Sequence, residues 1–184
     1  MSERFSRCVL TNVRLLVIDD NRHMTKLIAA ILRALGVREI CEINDAADAF
    51  KEIEHFVPDI IIVDWHMQPL DGLDFVRLVR TAKDSPNPYI PIIMLTGFTE
   101  MKRVTEARDA GINEFLAKPV SAKALYQRIT SIIETPRPFI RTKTFFGPDR
   151  RRQNAGPPRG VPERRKDEIE NAEAVKERIS ESMA

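Results

Sequence analysis

The sequence lacks any apolar run that could cross a lipid bilayer. A membrane-spanning helix needs about 20 consecutive apolar residues, whereas the most hydrophobic segment, DIIIV at 59–63, is far shorter. The amino-terminal stretch MSERFSRCVL begins with charged residues and has no hydrophobic segment of the kind that directs export. We therefore expect a cytoplasmic chain that makes no membrane contact.

Cysteine is scarce, and its placement argues against two kinds of stabilisation. Cys8 and Cys41 are the two cysteines of the chain, and neither has a histidine or second cysteine at a metal-binding spacing. A disulfide framework and a zinc site are therefore not expected. Glycine-rich nucleotide motifs are missing as well, since no P-loop and no GxGxxG segment occurs.

Charge is present but unevenly distributed along the 184 residues, although the formal net charge is only +2. Residues 1–136 hold 17 Lys+Arg and 19 Asp+Glu, residues 137–166 hold 10 and 2, and residues 167–184 hold 2 and 6. The hydrophobic content of 43% is sufficient for a buried core. The composition therefore predicts a domain over residues 8–135 and an extension over residues 136–184.

Strand-like and helix-like patterns alternate from Val13 to about Ile133. The predicted strands are 14–18, 37–43, 59–63, 92–95 and 114–117, and the predicted helices are 24–35, a segment between Asp45 and Pro58, 73–81, 99–110 and a last one that includes 125–133. Five strands alternating with five helices predict an α/β fold in which helices cover both faces of a parallel, doubly wound sheet.

Polar residues follow four of the five predicted strands. Asp19 and Asp20 come after the first, Asp64 after the third, Thr96 after the fourth and Lys118 after the fifth. Ligands of open parallel sheets bind at the carboxyl ends of the strands, so these side chains should converge. Taken alone, the aspartate pair is also compatible with capping the next helix. Three neighbouring carboxylates repel one another unless a cation compensates them, which predicts a magnesium site.

Four motifs extend this pattern from about Val13 to Glu134: IDD, VDWHMQPLDGLDF, MLTGF and EFLAKPV. With these motifs in this order, the sequence resembles the receiver domain of bacterial response regulators, whose fold is shared with chemotaxis signalling proteins. The resemblance implies a flavodoxin-like (βα)5 sheet with strand order 2-1-3-4-5, here followed by a mostly irregular C-terminal arm. It also implies a two-component regulator that catalyses only its own phosphorylation and dephosphorylation.

The resemblance implies a role for each acidic residue. Asp64 would accept a phosphoryl group from a phosphohistidine on a sensor histidine kinase or a histidine phosphotransfer protein. Asp20 would bind Mg²⁺ directly, Asp19 would bind it directly or through water, and the backbone carbonyl of His66 would complete the protein ligands, with Asp64 among them.

The remaining roles concern the phosphoryl group and the response to it. The resemblance implies that Lys118 supplies an ammonium group to the phosphoryl oxygens, while the Thr96 hydroxyl and the Gly97 backbone N–H donate hydrogen bonds to them. Thr96 and Phe115 would then move together as the switch. In much of this family the bond between Lys118 and Pro119 is cis.

Two enzyme or carrier classes with a similar topology are disfavoured by specific residues. A phosphatase of the haloacid dehalogenase type needs a second carboxylate two residues after its nucleophile, and His66 stands there. A flavodoxin-like electron carrier needs a phosphate-binding loop after the first strand, and the acidic segment DDNRHM would repel a phosphate.

The extension is rich in proline, glycine and arginine over residues 135–166, which predicts an irregular arm, and residues 167–184 are compatible with a short helix. Four roles remain open for it: contact with a downstream protein, nonspecific nucleic-acid binding in a transcription-linked regulator, a solvated tail, or folding back with Phe139, Phe145 and Phe146 as anchors. For the extension we favour protein contact over nucleic-acid binding, and for the whole chain we expect signalling by phosphorylation-dependent protein interaction. A homodimer is also left open.

Overall fold

The structure, a computed structural model, describes residues 10–97, 101–142, 145–149 and 169–170. Its parallel sheet consists of β1 (Arg14–Ile18), β2 (Glu39–Ile43), β3 (Ile60–Asp64), β4 (Ile92–Thr96) and β5 (Glu114–Ala117), and its helices are α1 (Arg22–Ala34), α2 (Ala46–Phe56), α3 (Gly72–Thr81), α4 (Met101–Asp109) and α5 (Ala122–Glu134). The predicted alternation of five strands and five helices is confirmed. None of the described helices is long and apolar enough to span a membrane.

The strand order is β2-β1-β3-β4-β5 and every neighbouring pair is parallel, as the resemblance implies. The chain crosses from β2, at one edge, to β3, on the far side of β1, so the order reverses direction between β1 and β3. Ile18 pairs with Val63 across these strands. Asp19 and Asp64, which follow this pair, therefore lie side by side at the carboxyl edge.

Two apolar layers hold the helices against the sheet, because successive side chains of a strand point to opposite faces. Leu15 and Val17 of β1 face the layer that includes Ile28 of α1 and Ile129 of α5. Ile18 belongs to the other layer, with residues of α2, α3 and α4. The strands are covered on both sides, which explains their continuous apolar runs.

The extension folds back onto the domain in its described part. Strands β6 (Phe139–Arg141), β7 (Phe146–Pro148) and β8 (Ile169–Glu170) form an antiparallel sheet with β6 in the middle. The sequence patterns did not predict these strands, and β8 lies within the segment 167–184 that is predicted to be compatible with a helix. The other residues of that segment lie outside the described residues, as do residues 143–144 and 150–166 of the predicted irregular arm.

An aromatic cluster attaches the extension to the domain. Phe139 is 1% exposed, and its ring centroid lies 5.4 Å from that of Tyr89 and 5.7 Å from that of Phe146. The guanidinium carbon of Arg80 lies 5.0 Å from the centroid of the Phe139 ring. Phe139 and Phe146 are therefore anchors, as the fold-back alternative proposed.

Arg80, in α3, is buried under this cluster and donates three hydrogen bonds to uncharged oxygens. Its Nε donates to the Gly111 carbonyl at 3.1 Å, and its two terminal nitrogens donate to the Pro88 carbonyl at 2.7 Å and the Asn113 side chain at 3.2 Å. Burial lowers the pKa of Arg80 to about 9, so the residue remains a cation at neutral pH.

Replacing Phe139 by alanine should destabilise the whole chain, because the change opens a cavity above Arg80. We expect a loss of about 3 kcal/mol or more in the free energy of unfolding, measured by urea denaturation. Leu27→Ala is the control, since Leu27 is 51% exposed and its replacement should change stability by no more than about 0.5 kcal/mol. Equal stability of the Phe139 variant and the wild type would show that the extension does not contribute to folding.

Candidate functional site

The turn between β1 and α1 carries two aspartates with different surroundings. Asp19 is 1% exposed, whereas Asp20 faces solvent. Asn21 is the N-cap of α1, and its side chain accepts a hydrogen bond from the His23 N–H. The capping alternative for the aspartate pair is therefore wrong, because the next residue performs that function.

Asp19, Asp20, Asp64 and Lys118 come together at the carboxyl edge of the sheet. One carboxylate oxygen from each of the three aspartates lies within 4.8 Å of the others. The Nζ atom of Lys118 lies 2.9 Å from Asp64 Oδ1 and 3.0 Å from Asp19 Oδ2. The site thus contains three acids and one ammonium group, which leaves an excess of negative charge.

Burial and these contacts shift the pKa values of the central pair. Burial raises the pKa of Asp64, the hydrogen bond and charge of Lys118 partly oppose that rise, and the neighbouring Asp19 charge adds to it. For Lys118, burial by itself lowers the pKa, but the hydrogen bonds and charges of Asp64 and Asp19 outweigh it and the pKa is raised. The ammonium form of Lys118 is therefore firmly held.

The hydrogen bonds of the carboxylates determine which oxygens remain available. Asp19 Oδ1 accepts from the Asn21 N–H at 2.9 Å, and its Oδ2 accepts from Lys118. Asp64 Oδ1 accepts from the Trp65 N–H at 2.9 Å as well as from Lys118, and Asp20 Oδ2 accepts from the Gln68 N–H at 3.2 Å. Among the described residues, Asp64 Oδ2 and Asp20 Oδ1 have no such donor.

This donor set fits a magnesium ion. Mg²⁺ prefers carboxylate oxygens and keeps several waters, and the two available oxygens belong to neighbouring acids with uncompensated negative charge. Asp20 and Asp64 are therefore the residues best placed to hold the ion directly. Asp19, with both carboxylate oxygens occupied, is better suited to contact through water.

The predicted switch and phosphate-binding residues occupy the neighbouring strands. Thr96 is the buried last residue of β4, and its carbonyl accepts the Lys118 N–H at 2.8 Å. Gly97 follows it and is exposed, and Phe115 is half-buried against the layer of α2, α3 and α4. The bond from Lys118 to Pro119 is cis, as the resemblance implied.

His66 is exposed two residues after Asp64, and the metal-binding role of its carbonyl stays a prediction. Sequence reasoning missed the contribution of Gly72 to the site. A Cβ at Gly72 would lie 2.0 Å from the Asp64 carbonyl oxygen, and the Gly72 N–H donates to the Trp65 carbonyl at 2.9 Å. Gly72 lies in the motif VDWHMQPLDGLDF, but its contact with Asp64 is visible only in three dimensions.

The fold and site define a signalling domain of the receiver type. Residues 15–130 match the family model described as the response regulator receiver domain, and the chain belongs to this family. It is similar to the chemotaxis protein CheY of Pseudomonas aeruginosa, with 30% identity over 122 residues that cover 66% of this chain and 97% of that protein.

A further relative and a solved structure are also chemotaxis proteins. The chemotaxis protein CheY1 of Helicobacter pylori is 32% identical over 124 residues, covering 67% of this chain and 98% of the relative. Among solved structures, chemotaxis protein CheY4 of Vibrio cholerae superposes with a TM-score of 0.60 at 25% identity, covering 65% of this chain and 98% of that one. The matched relatives are thus covered almost completely, whereas about a third of this chain lies outside the match.

Gly72→Ala should disturb the site by forcing the Asp64 backbone away from α3. We expect a loss of about 2 kcal/mol in the free energy of unfolding, because an added methyl group in a filled space causes strain of that order. The matched control is Gly97→Ala, where a Cβ would have no atom within 4 Å. Thermal unfolding of both variants measures the difference, and equal melting temperatures would contradict it.

Lys118→Met should destabilise the protein in a pH-dependent way. Without the ammonium, the buried carboxylates of Asp19 and Asp64 lose their counter-charge, which costs about 3 kcal/mol when both are ionised. Because burial already raises the pKa of Asp64 and loss of the Lys118 charge would raise it further, protonation of Asp64 relieves the repulsion as the pH falls. The deficit against wild type should therefore be larger at pH 7.5 than at pH 5.

Urea denaturation without divalent cations at the two pH values measures this deficit. Lys51→Met is the matched control, because Lys51 pairs with Asp48 at the surface with both side chains more than two-thirds exposed, at 73% and 68%. That change should cost less than about 1 kcal/mol at either pH. A deficit for Lys118→Met that is independent of pH would contradict the electrostatic argument.

Proposed function

We propose that this chain is a two-component response regulator in which Asp64 accepts a phosphoryl group from a phosphohistidine of a sensor kinase or a histidine phosphotransfer protein. The observation that carries the proposal is the Asp64 carboxylate: Oδ1 is fixed by Lys118 and Trp65, while Oδ2 has no donor among the described residues. The carboxylate is thus oriented by two donors and is available as a nucleophile.

In the proposed reaction, an oxygen of the Asp64 carboxylate forms a bond to phosphorus while the bond from phosphorus to the histidine nitrogen of the donor breaks. The electron pair of that bond stays with the imidazole, which is left neutral after proton exchange, and Asp64 becomes an acyl phosphate. Phosphoryl transfer depends on positioning and charge stabilisation. Lys118 meets both needs, since its ammonium is held at the attacking carboxylate.

The protein ligands of Mg²⁺ would be Asp20, Asp64 and the His66 carbonyl, with Asp19 acting through water. The ion would neutralise the negative charge of the phosphoryl oxygens and of the acidic cluster. Among the protein groups, Lys118 stabilises one side of the phosphoryl group, and the Thr96 hydroxyl and Gly97 N–H donate to its oxygens. Thr96 and Lys118 are already linked through the backbone at 2.8 Å.

The output of the domain is conformational, because family members are signalling regulators rather than classical enzymes. In our proposal, Thr96 moves towards the phosphoryl group and half-buried Phe115 turns inward, which changes the surface of α4, β5 and α5. A downstream protein that binds one arrangement better would then respond to phosphorylation.

Incubation of the full chain with acetyl phosphate and Mg²⁺ should add one phosphoryl group, detected by intact-protein mass spectrometry. Asp64→Asn removes the nucleophile and should abolish the addition. Asp45→Asn is the matched control, because Asp45 caps α2 and asparagine caps equally well. Undiminished labelling of the Asp64 variant, or labelling that does not depend on Mg²⁺, would refute the proposed function.

A further inference from the structure

Asn44 follows β2 and reaches the acidic turn of the neighbouring strand. Ile43 pairs with Ile18, which places Asn44 beside Asp19. The Nδ2 atom of Asn44 lies 2.7 Å from the Asp19 carbonyl oxygen and 3.3 Å from Thr25 Oγ1. One amide group therefore connects the end of β2 with both the end of β1 and the first turn of α1.

Thr25 continues this connection inside the protein. It is 2% exposed, accepts from Asn44 and donates its own hydroxyl proton to the Arg22 carbonyl at 3.1 Å. Half-buried hydrogen bonds of this kind hold their groups in one orientation, because breaking them leaves polar atoms without partners. The turn from Asp19 to Thr25 is thus fixed from the side of β2.

The hydrogen bond from Asn44 to the Asp19 carbonyl restrains the direction in which Asp20 projects. The carbonyl of residue 19 and the N–H of residue 20 belong to the same planar peptide group, so a donor that fixes the oxygen also fixes the plane from which Asp20 projects. Asp20 provides one of the two available carboxylate oxygens, and its only other described restraint is the Gln68 N–H. Its position consequently depends on Asn44.

Capping does not explain Asn44. Asp45, its neighbour, is the N-cap of α2 and accepts hydrogen bonds from Ala47 and Asp48. The side chain of Asn44 points instead at the site, although neither of its described partners is a carboxylate. Sequence motifs of the acidic site do not include this position.

We propose that Asn44 is a positioning residue for the cation site, which orients the peptide between Asp19 and Asp20 so that Asp20 can bind Mg²⁺. The inference rests on the proposed function, since it assumes that the acidic cluster holds this ion. Partners that orient metal ligands typically contribute about 10-fold to 100-fold in metal affinity. Asn44→Ala should therefore weaken Mg²⁺ binding about 10-fold.

Titration of the full chain with MgCl₂ tests this, with tryptophan fluorescence as the readout. Trp65 is the single tryptophan of the chain, and its backbone N–H donates to the Asp64 carboxylate. Asn87→Ala is the matched control, because Asn87 is another half-buried asparagine, in the loop between α3 and β4 at the opposite end of the sheet. Its Mg²⁺ affinity should stay within about twofold of the wild-type value.

The outcomes separate the inference from the proposed function. If wild type shows no saturable Mg²⁺ binding, the proposed cation site is refuted and the inference falls with it. If wild type binds but Asn44→Ala binds equally well, or if Asn87→Ala is weakened to the same extent, only the inference is overturned. A lower melting temperature of Asn44→Ala with unchanged affinity would assign Asn44 a purely structural role.

Asn44→Leu replaces the alanine variant if the latter does not fold. Leucine is close to asparagine in size, adds no charge and presents no N–H to the Asp19 carbonyl. Weaker Mg²⁺ binding in this variant therefore supports the lost hydrogen bond as the cause. Unchanged or tighter binding overturns the inference.

Discussion

Two almost fully buried carboxylates, on Asp19 and Asp64, share one ammonium group, and this contact determines the arrangement of the site. Burying two neighbouring acids without compensation is costly, and Lys118 supplies a hydrogen bond to each at 3.0 and 2.9 Å. Lys118 follows β5, Asp19 follows β1 and Asp64 is the last residue of β3. The lysine side chain thus spans β4 and links the two halves of the sheet.

The strand order explains why these residues meet and why the sequence could predict it. Each strand of a covered parallel sheet is a continuous apolar run, so a charged residue at its end marks the sheet edge. Asp19, Asp64, Thr96 and Lys118 could be placed at one edge from this rule alone. The predicted bounds of β1 and β5 are correct, whereas those of β2, β3 and β4 are off by one or two residues, and Asp64 and Thr96 are the last residues of their strands.

Other contacts of the structure have no signal in the local sequence. The glycine at position 72 is required because a Cβ would overlap the backbone eight residues earlier, and Asn44 acts on a carbonyl that is 25 positions away. Neither contact has a periodicity or a motif that a sequence reveals. The docking of the extension also has no local signal. Its proline, glycine and arginine content indicates disorder, whereas the contacts of Phe139 with Tyr89 and buried Arg80 form only in the folded domain.

The described part of the extension and the acidic site lie at opposite ends of the same two strands. At the amino end, Asn113 accepts the Ile92 N–H at 3.0 Å, and the Arg137 guanidinium of the extension donates to the Asn113 carbonyl. At the carboxyl end, Lys118 donates to the Thr96 carbonyl. Strands β4 and β5 are therefore joined to each other at both ends. Strand length separates the described residues 136–142 and 145–149 from Asp64, and none of them contacts its carboxylate directly. A change at the acidic site therefore reaches these residues through β4, β5 or the helices packed on them.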